Sequence, residues 1–396
     1  MQSWLDSLIA RGAFGPHPSR DLVYVLAIAL TCALVLFAVA LPFASIVTWV
    51  ERRIWARIQS RIGPNRVGPN GFLQWLADGI KNICKEDIIP AEADARLFKL
   101  APYIVVLAFI LPWAVMPFSS VLILSDLNIG VLYVTAVPAL TVIGILMAGW
   151  ASNNKWSLIG GIRSAAQIIS YEIPAGISIF PIVLMTGTLS MQGIIRAQGW
   201  SPHRWFIFAN PFCFAAAIIF FIASLAENNR TPFDLPEAES ELVAGFVTEY
   251  SSMRYLFFFM AEWGNMFIGA AIVVTLFLGG WQFPRVSANP LVMNALQFTI
   301  FMVKCLFLVF VSMWIRGTLP RVRIDQMMSL CWKYFVPISF IDLIGSAVWV
   351  AIFPDGNAFT RWLMLAMAGA VLVLFVTRVV TFTRRAQMEL YFHPTI

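Results

Sequence analysis

Nine apolar runs, each long enough to cross a lipid bilayer, constrain the fold of this chain more than any other feature. They cover residues of about 22–49, 100–120, 130–151, 168–189, 207–226, 255–281, 295–315, 334–353 and 362–382. An apolar stretch of about 20 residues spans the hydrocarbon core of a membrane as an α-helix. Only 12% of the residues are charged, against about a quarter in soluble domains. We therefore predict an all-α integral membrane protein with nine transmembrane helices.

The distribution of Lys and Arg predicts how the chain is oriented in the membrane. Of the 27 residues of these two types, 20 fall on one side of the predicted spans, 6 fall on the other side, and Lys304 lies inside a span. Cytoplasmic loops carry the excess of positive charge. We expect a multi-pass protein of a bacterial-type inner (plasma) membrane, with the N-terminus outside and the C-terminus in the cytoplasm. Topology thus explains the basic excess, and no nucleic-acid partner is expected.

An acidic segment, residues 227–255, lies between two of the spans on the predicted cytoplasmic side. It contains six of the 21 acidic residues of the chain: Glu227, Asp234, Glu237, Glu239, Glu241 and Glu249. Acids in the first turn of a helix opened by Pro236 would favour the positive end of the helix dipole. This structural explanation does not reach Glu241 and Glu249, which lie further along. Acids near hydrocarbon tend to mark ion or substrate pathways, so we favour a functional role for the segment.

The connection after the first span, residues 50–99, is the longest and most charged. Its sequence GPNRVGPNG at residues 63–71 breaks regular structure. Residues 72–86 follow with an apolar stripe at helical spacing, which predicts an amphipathic surface helix. That helix either anchors the connection or covers a cavity that opens into the lipid.

Four ionisable residues lie inside the apolar runs: Glu172, Glu262, Lys304 and Asp342. At the membrane centre each costs about 3 kcal/mol or more without a partner or water. Their predicted depths step from the inner face towards the midplane, with the acidic segment at the inner end. One hypothesis is a hydrated path for protons or charge. The alternative is a structural ion pair between Glu262 and Lys304, with the other groups reaching the interface.

The remaining motifs are uninformative about redox chemistry. The five cysteines have no CxxC spacing, the three histidines lie outside the predicted spans, and no glycine-rich nucleotide motif is present. We therefore expect no metal site, no covalently bound cofactor and no redox centre in this chain. The cluster of Arg316, Arg321 and Arg323 fits either a contact with a partner or an orientation signal.

Four segments resemble those of one known family. They are ERRIWARIQSRIGPNRVGPNGFLQWLADGIKNICKED from residue 51, RSAAQIISYEIP from residue 163, ENNRTPFDLPEAESELVAGFVTEYS from residue 227 and WIRGTLPRVRIDQMM from residue 314. Together they resemble the quinone-site membrane subunit of respiratory complex I, the proton-translocating NADH–quinone oxidoreductase. In bacteria this family member is designated H, and in mitochondria it is subunit 1.

The resemblance implies an eight-span core over residues 1–353 that forms an access chamber for quinone, such as ubiquinone. Residues 354–396 would then be an additional C-terminal helix and tail. The chain would be a subunit of an enzyme of the respiratory chain, a translocase, with quinone as substrate. Iron–sulfur clusters and FMN would lie in partner subunits. The implied partners are peripheral-arm subunits of the quinone module, small membrane-arm subunits and membrane lipid.

The resemblance also implies roles for particular residues, none of them catalytic in the chemical sense. The quinone chamber would be lined by Glu51, Arg52, Arg61, Asp78 and Phe233. The acidic coupling loop would consist of Glu227, Arg230, Asp234, Glu237, Glu239, Glu241 and Glu249. Glu172 and Glu262 would continue the charged path inside the membrane, to which the depth pattern adds Lys304 and Asp342.

Two other functions fit the same membrane pattern. One is the homologous membrane subunit of a membrane-bound hydrogenase, which need not bind quinone. The other is a stand-alone proton-coupled transporter, although the chain shows no internal repeat of the kind that many transporters have. The arginine- and proline-rich stretch at residues 51–71 favours the quinone-binding subunit.

Overall fold

A computed structural model describes residues 26, 27, 30, 41–236, 239–284, 289–354 and 356–392. Within these ranges all regular secondary structure is helical. The α-helices, in chain order, are α1 (Leu41–Ile58), α2 (Gln74–Cys84), α3 (Ala95–Ile110), α4 (Gly130–Ala136), α5 (Leu140–Ala151), α6 (Lys155–Thr186), α7 (Met191–Ala197), α8 (Pro211–Glu227), α9 (Glu239–Leu242), α10 (Ser252–Phe277), α11 (Pro290–Thr318), α12 (Ile324–Ser329), α13 (Val336–Ile352) and α14 (Ala358–Phe392). A π-helical turn, Leu330–Phe335, joins α12 to α13.

Seven helical stretches in the described part are long and apolar enough to cross a membrane. They are Ala95–Ala114, Gly130–Ala151, Lys155–Thr186, Ser252–Phe277, Pro290–Thr318, Ile324–Ile352 and Ala358–Phe375. Helix α8 is also apolar but has only 17 residues. The chain is therefore a multi-pass integral membrane protein. Seven predicted spans coincide with these stretches and one with α8, while most of the predicted span 22–49 lies outside the described residues.

Helix α10 occupies the centre of the molecule, and α14 lies at its edge. In the most apolar part of α10, 78% of the residues are buried, whereas in that of α14 the share is 0%. Helix α10 packs so closely against α3 that a Cβ atom on Gly264 would lie 1.7 Å from the Phe109 ring. By contrast, α14 touches the rest of the protein through a few rings, including a stack of Trp362 on His203 at 4.8 Å.

Helix α6 begins earlier than the apolar pattern predicts. The predicted span starts near residue 168, but the helix starts at Lys155, where the side chain of Asn154 accepts a hydrogen bond from the Trp156 amide. One side of these additional turns faces protein instead of lipid, because it packs against the acidic segment. A Cβ atom on Gly160 would lie 2.7 Å from the Cα atom of Gly245. Hydropathy alone misses these turns because their contacts are with protein.

The predicted amphipathic helix is present as α2, Gln74–Cys84, within the expected range of residues 72–86. Its apolar side chains Leu76, Ile80 and Ile83 are exposed. It is attached to α1 through an ion pair of 2.7 Å between Arg52 and Asp78. The position of α2 at the membrane surface stays a prediction.

We expect Gly160→Ala to destabilise the chain by about 1–3 kcal/mol, the usual cost of overpacking, because the new methyl group meets the Gly245 backbone. Thermal unfolding of the chain in its assembled complex measures the effect. The matched control is Gly176→Ala on the same helix, where a Cβ atom meets nothing within 4 Å. Equal melting temperatures for the two variants would contradict the close contact.

Candidate functional site

A buried chain of alternating charges connects α1, the segment after α8, α10 and α11. The Nη1 atom of Arg316 donates a hydrogen bond of 2.9 Å to Oε1 of Glu51. The same Oε1 lies 3.7 Å from Nη1 of Arg230, and Nε of Arg230 lies 3.1 Å from Oε1 of Glu262. The side chain of Arg230 is only 2% exposed and that of Glu51 only 7%. Four charges are thus held in one row where water is scarce.

Aromatic rings hold the two guanidinium groups in this row. The Arg230 guanidinium carbon lies 4.0 Å from the ring centroid of Trp263, and that of Arg316 lies 4.5 Å from the ring of Trp55. A cation over an aromatic face gains electrostatic stabilisation, and most when it is desolvated. No N–H group of Arg230 makes a hydrogen bond of good geometry to another described residue. The position of Arg230 is therefore fixed by charge and stacking, and its N–H groups remain able to donate hydrogen bonds to another acceptor.

The connection after α11 is attached to the acidic segment. Arg321 forms an ion pair of 2.9 Å with Asp234, and the Val322 amide donates a hydrogen bond of 3.0 Å to the Pro232 carbonyl oxygen. Burial raises the pKa of the Asp234 carboxyl, and the Arg321 guanidinium counteracts part of that rise. Two of the three arginines left open by the sequence, Arg316 and Arg321, thus make contacts within the chain.

The amino-terminal end of α6 holds the other end of the acidic segment. Arg163 pairs with Glu241 at 2.6 Å, and Nδ2 of Asn154 donates a hydrogen bond of 2.7 Å to Glu249. The segment is therefore fixed to two different elements by its own carboxylates. Glu237 lies outside the described residues, and the side chain of Glu239 is not among those described.

The residues predicted to line the quinone chamber fall into separate groups. Glu51 belongs to the buried row of charges, whereas Arg52 and Asp78 face each other at the more exposed contact of α1 with α2. Arg61 is exposed and donates a hydrogen bond to Gln59. Phe233 is buried, with its ring centroid 5.5 Å from that of Tyr171. Their arrangement around one chamber stays a prediction.

Two adjoining cavities continue the row of charges into the helix bundle. The smaller, of about 50 Å³, is lined by Glu262 and Glu227. The larger, of about 420 Å³, is lined by Glu227 and Glu172 together with apolar side chains. Thr141, Glu227, Asn228 and Asn265 line both. Even the smaller cavity exceeds the roughly 10–15 Å³ needed for one water molecule.

The shared lining of the two cavities is polar and incompletely bonded. The Oγ1 atom of Thr141 and the Oδ1 atom of Asn265 are buried without a hydrogen-bond partner in the described structure. Buried polar atoms of this kind are usually satisfied by water. Glu262, Glu227 and Glu172 thus line two adjoining cavities that are large enough to hold water.

Lys304 and Asp342 lie apart from this row. The Nζ atom of Lys304 donates hydrogen bonds to the carbonyl oxygens of Leu278 at 2.7 Å and Gly280 at 3.0 Å, beyond the end of α10. Glu262 precedes Leu278 by 16 residues, or about 24 Å along a helix. The alternative ion pair between Glu262 and Lys304 is therefore wrong, because Glu262 pairs with Arg230. Asp342 lines neither cavity.

Several residues of the site are not evident from the sequence. Asn265 lies in the middle of an apolar run, and a search for neutral polar residues in the spans, instead of charges alone, would find it. Thr141 gives no such signal, since threonine is common in membrane helices. Trp263 gives none either, because its role depends on the neighbouring Arg230.

Comparison with known proteins decides the family. A family model described as NADH dehydrogenase matches residues 30–347. The chain belongs to this family. The H subunit of the NADH-quinone oxidoreductase of Anaeromyxobacter dehalogenans is 53% identical over 334 residues, which cover 80% of this chain and 80% of the relative. The corresponding proteins of Chlorobaculum tepidum and Rickettsia prowazekii, which bear the same name, are 46% and 48% identical, covering 83% and 79% of this chain and 93% and 91% of the relatives.

The family match confirms the resemblance seen in the four segments, all of which lie within residues 30–347. These relatives of the NADH dehydrogenase family are named as subunits of an enzyme complex. The match ends before α14, whose role stays a prediction. Among the described residues, no group of three or more His, Cys, Asp or Glu side chains is placed to hold a metal ion.

We expect Arg230→Gln to destabilise the chain more than the double variant Arg230→Gln with Glu262→Gln. The single variant leaves Glu51 and Glu262 buried together without the central cation, and breaking a buried pair costs about 3–5 kcal/mol. Thermal unfolding of the assembled complex gives the comparison. The control is Arg163→Gln, whose partner Glu241 is exposed. If the stability lost in the double variant equals the sum of the losses in Arg230→Gln and in Glu262→Gln alone, a direct interaction between the two residues is contradicted.

Proposed function

We propose that this chain is the membrane subunit of an NADH–quinone oxidoreductase, where it forms the access chamber for quinone and couples quinone reduction to proton translocation. Membership of the NADH dehydrogenase family supports the enzyme, and the names of the relatives support the role within it. The observation that carries the coupling proposal is the buried row Arg316–Glu51–Arg230–Glu262, which adjoins the cavities lined by Glu227 and Glu172. The other subunits of the enzyme are its expected partners.

The quinone would approach from the lipid beneath α2. The exposed apolar side chains Leu76, Ile80 and Ile83 suit contact with an isoprenoid tail. Arg52 and Asp78 join α1 to α2 at this place, and Arg61 is exposed after the end of α1. We assign these residues, with Glu51 and Phe233, to the chamber and its entrance.

The headgroup chemistry matches the charges at the inner end of this route. Reduction of a quinone to a quinol requires two electrons and two protons, and negative charge develops on the carbonyl oxygens as electrons arrive. Electrons would come from FMN through iron–sulfur clusters in partner subunits. Buried cations stabilise such charge strongly. Arg316 and Arg230 stand at either side of Glu51, and the N–H donors of Arg230 have no good acceptor among the described residues.

Coupling would follow from competition for Arg230. In the structure Arg230 lies 3.1 Å from Glu262 and 3.7 Å from Glu51. A negative charge arriving near the Glu51 end draws the guanidinium away from Glu262. The Glu262 carboxylate, deprived of its cation in a desolvated place, then gains affinity for a proton. Quinone reduction and the protonation of Glu262 are thereby linked thermodynamically.

The two cavities would provide the route for the proton that Glu262 takes up. A proton on Glu262 has Glu227 and then Glu172 as further carboxyls along the two adjoining cavities. The acidic segment supports the geometry, because Asp234, Glu241 and Glu249 hold it to the connection after α11 and to α6. Glu237 and Glu239 complete the proposed coupling loop. The path would lead towards proton-translocating partner subunits in the membrane.

We expect Glu262→Gln to lower the number of protons translocated per quinone reduced, because the amide cannot change charge when Arg230 moves. Proton uptake and NADH oxidation by vesicles that contain the assembled enzyme measure both quantities. Asp126→Asn, in an exposed loop, is the control for a carboxyl-to-amide change. An unaltered proton-to-quinone ratio in the Glu262 variant would count against the path.

We expect Glu51→Gln to raise the KM for quinone about tenfold, the effect of losing about 1.4 kcal/mol, while electron transfer from NADH to a soluble artificial acceptor stays unchanged. The amide loses the charge that orients Arg316 and Arg230 beside the headgroup. Steady-state kinetics with a short-chain quinone tests this, and a quinone-site inhibitor should lose potency in parallel. If the wild-type complex resists every such inhibitor, a hydrogenase-type subunit without a quinone site becomes the better account. Transport of a solute by the chain alone would indicate a transporter.

A further inference from the structure

A second buried carboxyl group lies on α13, away from the proposed coupling path. The side chain of Asp342 is about 3% exposed, and its Oδ2 atom has no hydrogen-bond partner among the described residues. Ser346 follows one turn later on the same helix, is fully buried, and its Oγ atom also lacks a partner there. Two unsatisfied polar side chains thus face the interior of the bundle at adjacent positions.

The third member of this cluster comes from α8. The Cys213 thiol lies near both Ser346 and Asp342. Its Sγ atom is 3.6 Å from the Sδ atom of Met185 on α6. The cluster therefore occupies the contact of three helices that pack against one another. Cys213, Ser346 and Asp342 form what we call the Asp342 cluster.

The Asp342 cluster contains no cation that would balance an ionised carboxyl. No described Lys, Arg or His forms an ion pair with Asp342, and the Cys213 thiol is its titratable neighbour on α8. Lys304 is held at the far end of α10 by carbonyl oxygens, and the described arginines nearest the membrane interior pair with other acids. An ionised carboxylate without a partner in such a place is unfavourable, and this cost favours the protonated form.

The chemistry of the cluster suits a proton better than a metal ion. Neither membrane cavity described above is lined by Asp342, Ser346 or Cys213. Helices α13 and α8 approach so closely that a Cβ atom on Gly345 would lie 2.4 Å from the Phe212 ring. A multiply coordinated metal cation needs several oxygen ligands, and Asp342 and Ser346 are the two residues of the cluster whose side chains carry oxygen.

We propose that the Asp342 cluster is an occluded proton-binding site, separate from the row formed by Glu262, Glu227 and Glu172. The neutral Asp342 carboxyl lies beside the Ser346 hydroxyl, one turn away, and the Cys213 thiol. The site is almost fully buried and lines neither of the two cavities, so we expect its proton to exchange slowly with solvent. The proposal rests on packing and does not depend on the quinone chemistry of the preceding subsection.

Infrared spectroscopy of the assembled complex tests this directly. The spectrum of the wild type minus that of Asp342→Asn at neutral pH should contain the C=O stretch of a protonated carboxylic acid, which shifts to lower frequency when the complex is isolated from cells grown in D₂O. The matched control is Asp325→Asn, an exposed aspartate at the start of α12, whose difference spectrum should show the two bands of an ionised carboxylate. Carboxylate bands for Asp342 would overturn the proposal.

Two further variants keep the test decisive if Asp342→Asn does not assemble. Ser346→Ala removes the hydroxyl one turn away and Cys213→Ser replaces the neighbouring thiol, so at least one should shift the C=O frequency of the same acid. Absence of any such shift in both variants would overturn the assignment.

A second measurement tests whether Asp342 is separate from the proposed coupling path. Asp342→Asn should keep the proton-to-quinone ratio that Glu262→Gln loses, and a matching loss in both would place Asp342 on the path instead.

Discussion

The structure depends on one buried cation held between two carboxylates. Arg230 has Glu51 on one side, Glu262 on the other and the Trp263 ring against its face. Taking three charges out of water is costly, and their mutual attraction repays that cost only while all three stay together. The elements that carry them, α1, the end of the segment after α8 and α10, are therefore held at fixed distances. The same dependence makes the row sensitive to any new charge that approaches it.

Helix packing decides which carboxyls belong to this row. Small residues let α6 lie directly against the acidic segment at Gly160 and Gly245, and let α10 lie against α3 at Gly264. Helices α5, α6, α8 and α10 leave room for the two cavities, which Glu227 lines and one of which Glu172 also lines. Where α8 and α13 pack tightly, the buried Asp342 lines neither of these cavities. Packing thus separates the proposed path from the Asp342 cluster.

The sequence predicts the membrane architecture well, because a lipid environment demands long apolar helices whatever their neighbours are. It predicts less where protein replaces lipid as the neighbour. The first turns of α6, from Lys155, read as part of a connection because they pack against the acidic segment instead of lipid. The hydropathy of a run also cannot show which of its faces is covered, as the contrast between the central α10 and the peripheral α14 illustrates.

The candidate site is predictable in its residue types but only partly in its pairings. Glu51, Arg230 and Glu262 all stand out in the sequence, yet depth along the helices suggests Lys304 as the partner of Glu262. Depth gives one coordinate only, and Lys304 points instead to the carbonyl oxygens at the end of α10. Arg316, conspicuous as part of a basic cluster, becomes a member of the row only through the fold, since 265 residues separate it from Glu51.

Coupling through Arg230 requires that Glu262 change its protonation state when quinone is reduced. Redox-induced infrared difference spectroscopy of the assembled enzyme measures this most directly, with Glu262→Gln identifying the band. We expect reduction to produce a protonated-carboxyl C=O band that is absent from the Glu262 variant and weakened in Arg230→Gln. A reduced-minus-oxidised spectrum that is the same in the wild type and in Glu262→Gln would contradict the account.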